Sequence, residues 1–147
     1  MNIAREDVMT ALAALVGGAL GLTVGRRVLM WSKVTAQPAC FIRNIGDIYG
    51  DAGQIMVPVT MHCEVWIYAR ADGPDVAAGP ILNGLVDTLE AAFASYDPAS
   101  NRLTLGGLVQ DCRLEGDSVF DPGDLDGQAK AVIPVKIDVP WARMWKR

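Results

Sequence analysis

The clearest periodic signal in the chain is the stretch 54–69, QIMVPVTMHCEVWIYA. Here Ile55, Val57, Val59, Met61, Cys63, Val65 and Ile67 alternate with a mixed set that includes Thr60, His62, Glu64 and Tyr68. Successive side chains on a strand point to opposite faces, so the alternation predicts one long strand with a buried odd face and a largely wettable even face. The stretch 128–139 repeats the pattern, with Ala129, Ala131, Ile133, Val135, Ile137 and Val139 set against Gln128, Lys130, Lys136 and Asp138. A shorter strand is expected over 39–45, followed by a turn through Asp47, Gly50, Asp51 and Gly53. Two strand pieces are expected within 101–115, on either side of a bulge or bend at Gly106 and Gly107.

Two segments follow the helical period instead. Asn2 is placed to cap a helix over 3–16, with Val8, Leu12, Leu15 and Val16 on one face and Gly17 and Gly18 as its stop. Asp75 is placed to cap a helix over 76–95, in which Pro80 is tolerable only in the first turn and Leu82, Leu85, Val86, Leu89 and Phe93 form the apolar stripe. Two strands with one apolar face each need a cover, and the two amphipathic helices supply it. The predicted fold class is therefore α+β: a mostly antiparallel sheet with two helices packed on one face, as a single domain over 1–147 that ends in a tail at 140–147.

A chain of 147 residues is long enough to bury about 68–70% of its extended surface without a disulfide or metal. Cys40, Cys63 and Cys112 lie far apart in apolar or alternating runs and read as reduced core residues. The uncharged run Val8–Val24 is interrupted by Gly17, Gly18 and Gly21 and preceded by Glu6 and Asp7, so neither a membrane span nor a targeting segment is expected there. The net charge of −4 argues against a protein that holds nucleic acid by neutralising phosphates. Residues 1–48 carry five bases and three acids, residues 49–128 three and thirteen, and residues 129–147 five and one. Such segments could let one copy complement another, or simply mix on one surface.

Catalytic signatures are lacking. His62 and Glu64 share the even face, which makes a dyad conceivable, but Cys63 points the other way and nothing in the sequence orients His62 as a base. There is no nucleophile elbow, P-loop or dinucleotide fingerprint, so an enzyme is not expected and no cofactor is implied. The stretch 116–127 holds Asp117, Asp121, Asp124 and Asp126, yet an EF-hand frame places Pro122 at the first ligand and Ile133 at the bidentate glutamate. It reads as a solvated loop, with a weak ion site in an assembled protein as the alternative. Trp66 and Tyr68 on the even face, Arg70 and Asp72 in the loop that follows, and Trp141, Arg143 and Trp145 in the tail have the composition of interface anchors. The tail aromatics could alternatively stack on single-stranded nucleic acid, and all four aromatics could instead fold back on the core.

Over about residues 35–140 the chain resembles the tail terminator proteins of long-tailed bacteriophages. The likeness is carried by Thr104-Leu105-Gly106-Gly107-Leu108-Val109, by Cys112, Leu114, Glu115 and Gly116, by Gly123-Asp124-Leu125-Asp126-Gly127-Gln128, and by Ala131-Val132-Ile133-Pro134-Val135. The preceding helix and Gln37-Pro38-Ala39-Cys40-Phe41 stand in the same order as in that family. The resemblance implies a structural virion subunit, made in the host cytoplasm, that assembles as a hexameric ring on the last ring of the tail tube. There it ends tube growth and meets the head-side connector, with DNA passing through the lumen unbound. The family brings no catalytic residues. Alternatives are a head-side completion protein or a monomeric binding domain.

Overall fold

The computed structural model describes residues 3–50, 58–71, 73–95 and 97–140. Helix α1 (Arg5–Leu20) leads to a two-residue strand β1 (Val24–Gly25), a 3₁₀ turn (Trp31–Lys33) and strand β2 (Ala39–Tyr49). Strand β3 (Pro58–Arg70), helix α2 (Gly79–Phe93), and strands β4 (Asp111–Leu114), β5 (Val119–Asp121) and β6 (Gln128–Pro140) follow. The sheet runs β1-β2-β3-β6-β4, with β5 on the same side of β6 as β4; β1 is parallel to β2 and all other pairs are antiparallel. This is an α+β fold.

The two long strands follow their sequence period. Val59, Met61, Cys63, Val65 and Ile67 are buried, and on β6 so are Ala129, Ala131, Ile133, Val135, Ile137 and Val139. Their register pairs Val65 with Ile133 and Ile67 with Ala131, so both strands turn their odd residues toward the same side. Val8, Met9, Leu12 and Val16 of α1 and Leu82, Val86, Leu89 and Phe93 of α2 cover that side in one cluster.

Several boundaries depart from the sequence pattern. Helix α1 begins later and ends later than 3–16: Asp7 Oδ2 accepts the Ala4 N–H at 3.1 Å, and the helix passes through Gly17 and Gly18 to a left-handed Gly21 at φ 67°. Gly17 is not the stop; it lets the returning chain approach, since a Cβ there would lie 2.8 Å from the Leu22 carbonyl oxygen. Helix α2 starts at Gly79, with Ala78 rather than Asp75 in the cap position, because Pro80 fits only the first turn.

Strand β2 extends past residue 45 because a bulge between Asn44 and Gly46 shifts its register, so Asp47 and Tyr49 return to the helix side. There Arg5 Nε donates to Asp47 Oδ2 at 2.8 Å and ties α1 to the strand. The segment 101–110 is not a strand. Asn101, Leu105, Gly106 and Gly107 have positive φ, and the segment is a chain of turns, with one bridge between Asp97 and Arg102, that wedges Leu103, Leu108 and Val109 against the core. The Asp-rich stretch, expected as plain loop, contains β5. Residues 54–57 of the expected long strand, and Asn2, lie outside the described residues.

Candidate functional site

Among the described residues the even face of β3 and β6 is half-buried rather than covered along much of its length, and it carries a ladder of paired polar groups. Thr60 Oγ1 donates to Asp138 Oδ1 at 2.8 Å, and Asp138 Oδ2 accepts from Arg113 at 2.6 Å. Burial opposes the Arg113 charge, but hydrogen bonds to Glu115 and Asp138 outweigh it and raise the guanidinium pKa, so Arg113 is a permanent cation. One register step along, Lys136 Nζ donates to His62 Nδ1 at 3.1 Å.

The conceivable His62 and Glu64 dyad does not form. Glu64 Oε1 accepts instead from Arg43 Nε at 2.7 Å and from Trp66 Nε1 at 3.1 Å. The thiols are equally remote from chemistry: burial pushes Cys40 and Cys63 up to about 12 and raises Cys112 as well, so all three are protonated and inert at neutral pH. Cys63 Sγ lies 3.6 Å from Met9 Sδ inside the core.

Toward the Arg70 end of β3 the same face is covered by the segment between β1 and β2. Trp31 meets Tyr68 edge-on at 5.3 Å, Phe41 meets it at 5.8 Å and Trp66 at 6.4 Å. Tyr68, expected as an exposed anchor, is only 4% exposed, and its hydroxyl donates to the Leu29 carbonyl at 2.8 Å. This burial raises its pKa. Gly25 makes room for the cluster, since a Cβ there would come within 2.5 Å of the Phe41 ring. Trp66 remains half-buried, with Arg43 over one ring at 5.0 Å and Lys130 at 5.4 Å.

Two clefts meet at this end of the sheet. One, of about 410 Å³, is lined by Met30, Trp31, Trp66, Tyr68, Lys130, Asp121 and Asp126, and mixes aromatic, cationic and acidic groups. The other, of about 560 Å³, lies between the loop after β3, with Arg70 and Asp75, and the loop before β6, with Asp124 and Asp126. The Ala71 N–H donates to the Gly127 carbonyl at 2.9 Å and joins the two loops. Gly123, at φ 69°, is required for this turn, because a Cβ there would sit 2.5 Å from Gln128 backbone carbon.

Of the residues singled out from sequence, Trp66, Tyr68, Arg70, Asp121, Asp124 and Asp126 thus converge on adjoining clefts. Asp117 is exposed but lines neither. Asp72, Trp141, Arg143 and Trp145 lie outside the described residues. Sequence reasoning missed Trp31 and Met30; the one signal was an exposed-type aromatic in a segment without period, next to a basic pair. Asp121 and Asp126 each spend one carboxylate oxygen on a nearby backbone N–H, from Gly123 and Gln128, at 3.0 Å. Among the described residues no three histidine, cysteine or acidic side chains are grouped to hold a metal ion, and no helix is long and apolar enough to cross a membrane. No protein-family model matches the chain, and no curated protein matches it.

Proposed function

We propose that this chain is a structural subunit of a bacteriophage tail, a terminator that closes as a ring, hexameric in the resembled family, on the end of the tail tube and offers a different surface to the head-side connector. The reading starts from the sequence resemblance over residues 35–140. The observation that carries it is the division of labour in the sheet: the helices and the odd face satisfy the core, which leaves two unlike sheet edges and an acidic, two-loop end outside it. A tube grows because each added ring recreates the surface it bound, so a terminator needs one tube-like face and one unlike face. A heterologous ring contact needs two unlike patches on one subunit. The outer edge of β2 beyond Phe41, with Ile45 and Ile48 more than half exposed, and the charged β4–β5 edge are such a pair. A net charge of −4 suits a subunit lining a passage for DNA, which must not adhere.

The test is a phage lysate lacking the protein. Filled heads without tails, beside tails of irregular and excessive length, are the expected micrograph. Normal-length tails joined to filled heads overturn the reading, and normal-length free tails beside leaking heads favour a head-side completion protein.

A further inference from the structure

Residues 26–38, between β1 and β2, lie over the even face of the sheet without joining it. None of them is fully buried, and none belongs to the core cluster. They cover a second, separate set of rings instead: Phe41 and Tyr68 are buried although neither is part of that cluster. The aromatic face needs this segment, whereas the core does not.

Its attachment is light. Among the described residues, the hydrogen bonds that tie it to other elements are that of the Tyr68 hydroxyl to the Leu29 carbonyl, at 2.8 Å, and the pairing of Arg26 with Glu6 on α1. Rings supply the rest of the hold, with Trp31 edge-on to Tyr68 at 5.3 Å and the Arg70 guanidinium 6.0 Å from the Trp31 ring centroid. The fit is loose as well. Leu29 and Met30 of the segment line the cleft of about 410 Å³ together with Trp66 and Lys130 of the sheet, so the two surfaces do not close on each other there. Closure is also opposed at Gln37, whose side-chain Oε1 and Nε2 are both shielded from solvent and meet no hydrogen-bond partner among the described residues. A carboxamide desolvated without a partner disfavours the state that buries it.

We propose that residues 26–38 are a strap that opens as a unit while the helices and long strands stay folded, uncovering the rings of Phe41 and Tyr68 beside the half-buried Trp66. The Tyr68 hydroxyl is the latch, and Gln37 biases the strap toward opening. Such local openings have low free energy because they break few buried apolar contacts. The closed strap withholds the aromatic face from other molecules; the open one offers it, with Arg43 and Lys130 beside Trp66. The inference does not depend on the tail-tube reading, because it concerns a single chain.

Native-state proteolysis of the full chain tests it. A lysine-specific endoprotease needs several extended residues, so it cuts after Lys33 only when the strap leaves the sheet. Cleavage there is followed by mass spectrometry in native buffer and in urea below the unfolding midpoint. When opening is fast relative to cleavage, the rate tracks the open population and its urea dependence reports the surface exposed. The expected dependence is about a third or less of that for global unfolding measured by circular dichroism. Tyr68→Phe keeps the ring but removes the latch, and should speed cleavage about two- to tenfold. Gln37→Met removes the carboxamide and should slow cleavage about fivefold or more. Thermal melting checks that both variants fold, and Gln37→Met decides alone should Tyr68→Phe not fold. Cleavage with the full urea dependence of global unfolding overturns the proposal, because the strap would then open only with the core. Cleavage as fast as that of a free peptide of residues 26–38 also overturns it, since no closed state would exist, and so do variants cleaved at the native rate.

Discussion

Thr60 Oγ1 donates a 2.8 Å hydrogen bond to Asp138 Oδ1 from one long strand to the next, directly across the register that pairs the two residues. The neighbouring residue Val59 is fully buried on the opposite face. Val59→Asp places an unpaired carboxylate in the core and is expected to cost several kcal/mol. Thr60→Val removes a half-buried hydrogen bond and is expected to cost about 1 kcal/mol. Thr60→Asp brings two carboxylates together and should cost more than Thr60→Val at pH 7 but recover below about pH 4, where one of the pair protonates. Urea denaturation at both pH values measures all three, and a Thr60→Asp penalty that ignores pH would mean that the two side chains separate in solution.

Adjacent glycines in α1 are expected to respond with opposite sign. Gly18 is exposed and a Cβ there meets nothing within 4 Å, so Gly18→Ala should stabilise by about 0.4–1 kcal/mol through reduced freedom of the unfolded chain. At Gly17 the Cβ would meet the Leu22 carbonyl oxygen at 2.8 Å, backbone that cannot swing aside, so Gly17→Ala should destabilise by about 1–3 kcal/mol. Thermal melts of the two variants are sufficient, and a shared sign would place the helix end elsewhere.

The buried thiols make stability fall on the alkaline side. Unfolded cysteines ionise from about pH 8.5, whereas Cys40 and Cys63 stay protonated until about 12 in the folded chain, because burial disfavours the thiolate. The folded pKa is the raised one, so the contribution is intact below about 8.5 and is lost progressively as pH rises toward 12. Each thiol steepens the decline by about 1.4 kcal/mol per pH unit. A Cys63→Val variant should lose stability more gently by that amount between pH 9 and 11 in denaturant titrations. An unchanged slope would mean that this thiol ionises in the folded state.

The two long strands were legible because their faces meet different surroundings, core on one side and a paired polar ladder on the other, and a period of two records that difference residue by residue. The same logic misread β2, where the bulge after Asn44 exchanges the faces and erases the alternation. It misread 101–110 as well: alternating leucines there are held by left-handed turns at Asn101, Leu105, Gly106 and Gly107, and turns leave little trace in a hydrophobic pattern. At the candidate site Arg70 and Asp121, which end β3 and β5, and the loop residues Asp124 and Asp126 could be named from composition. The burial of Tyr68 could not, because the segment that covers it, Leu29 and Trp31, has no period of its own and reaches the sheet only through tertiary contact.

Salt should weaken self-association. Asp121 and Asp126, which line the aromatic cleft, are exposed, as are Asp75 and Asp124 in the adjoining cleft. Exposed charges separated by more than about 8 Å are screened at physiological ionic strength, and closer exposed pairs weaken further as salt rises. If such carboxylates meet basic groups of another copy, their attraction should therefore fade, with the association constant dropping several-fold between roughly 0.05 and 0.5 M sodium chloride, where the screening length shrinks from about 14 to 4 Å. Sedimentation across that range measures it. Association that tightens with salt would assign the contact to apolar burial instead. The exposed groups then responsible would be Met30 and the half-buried Trp31 and Trp66, not Tyr68, whose ring and hydroxyl are already committed within its own chain. Replacing Trp66 with alanine would then abolish the association that added salt leaves intact, and the two outcomes separate a steered electrostatic contact from a hydrophobic one.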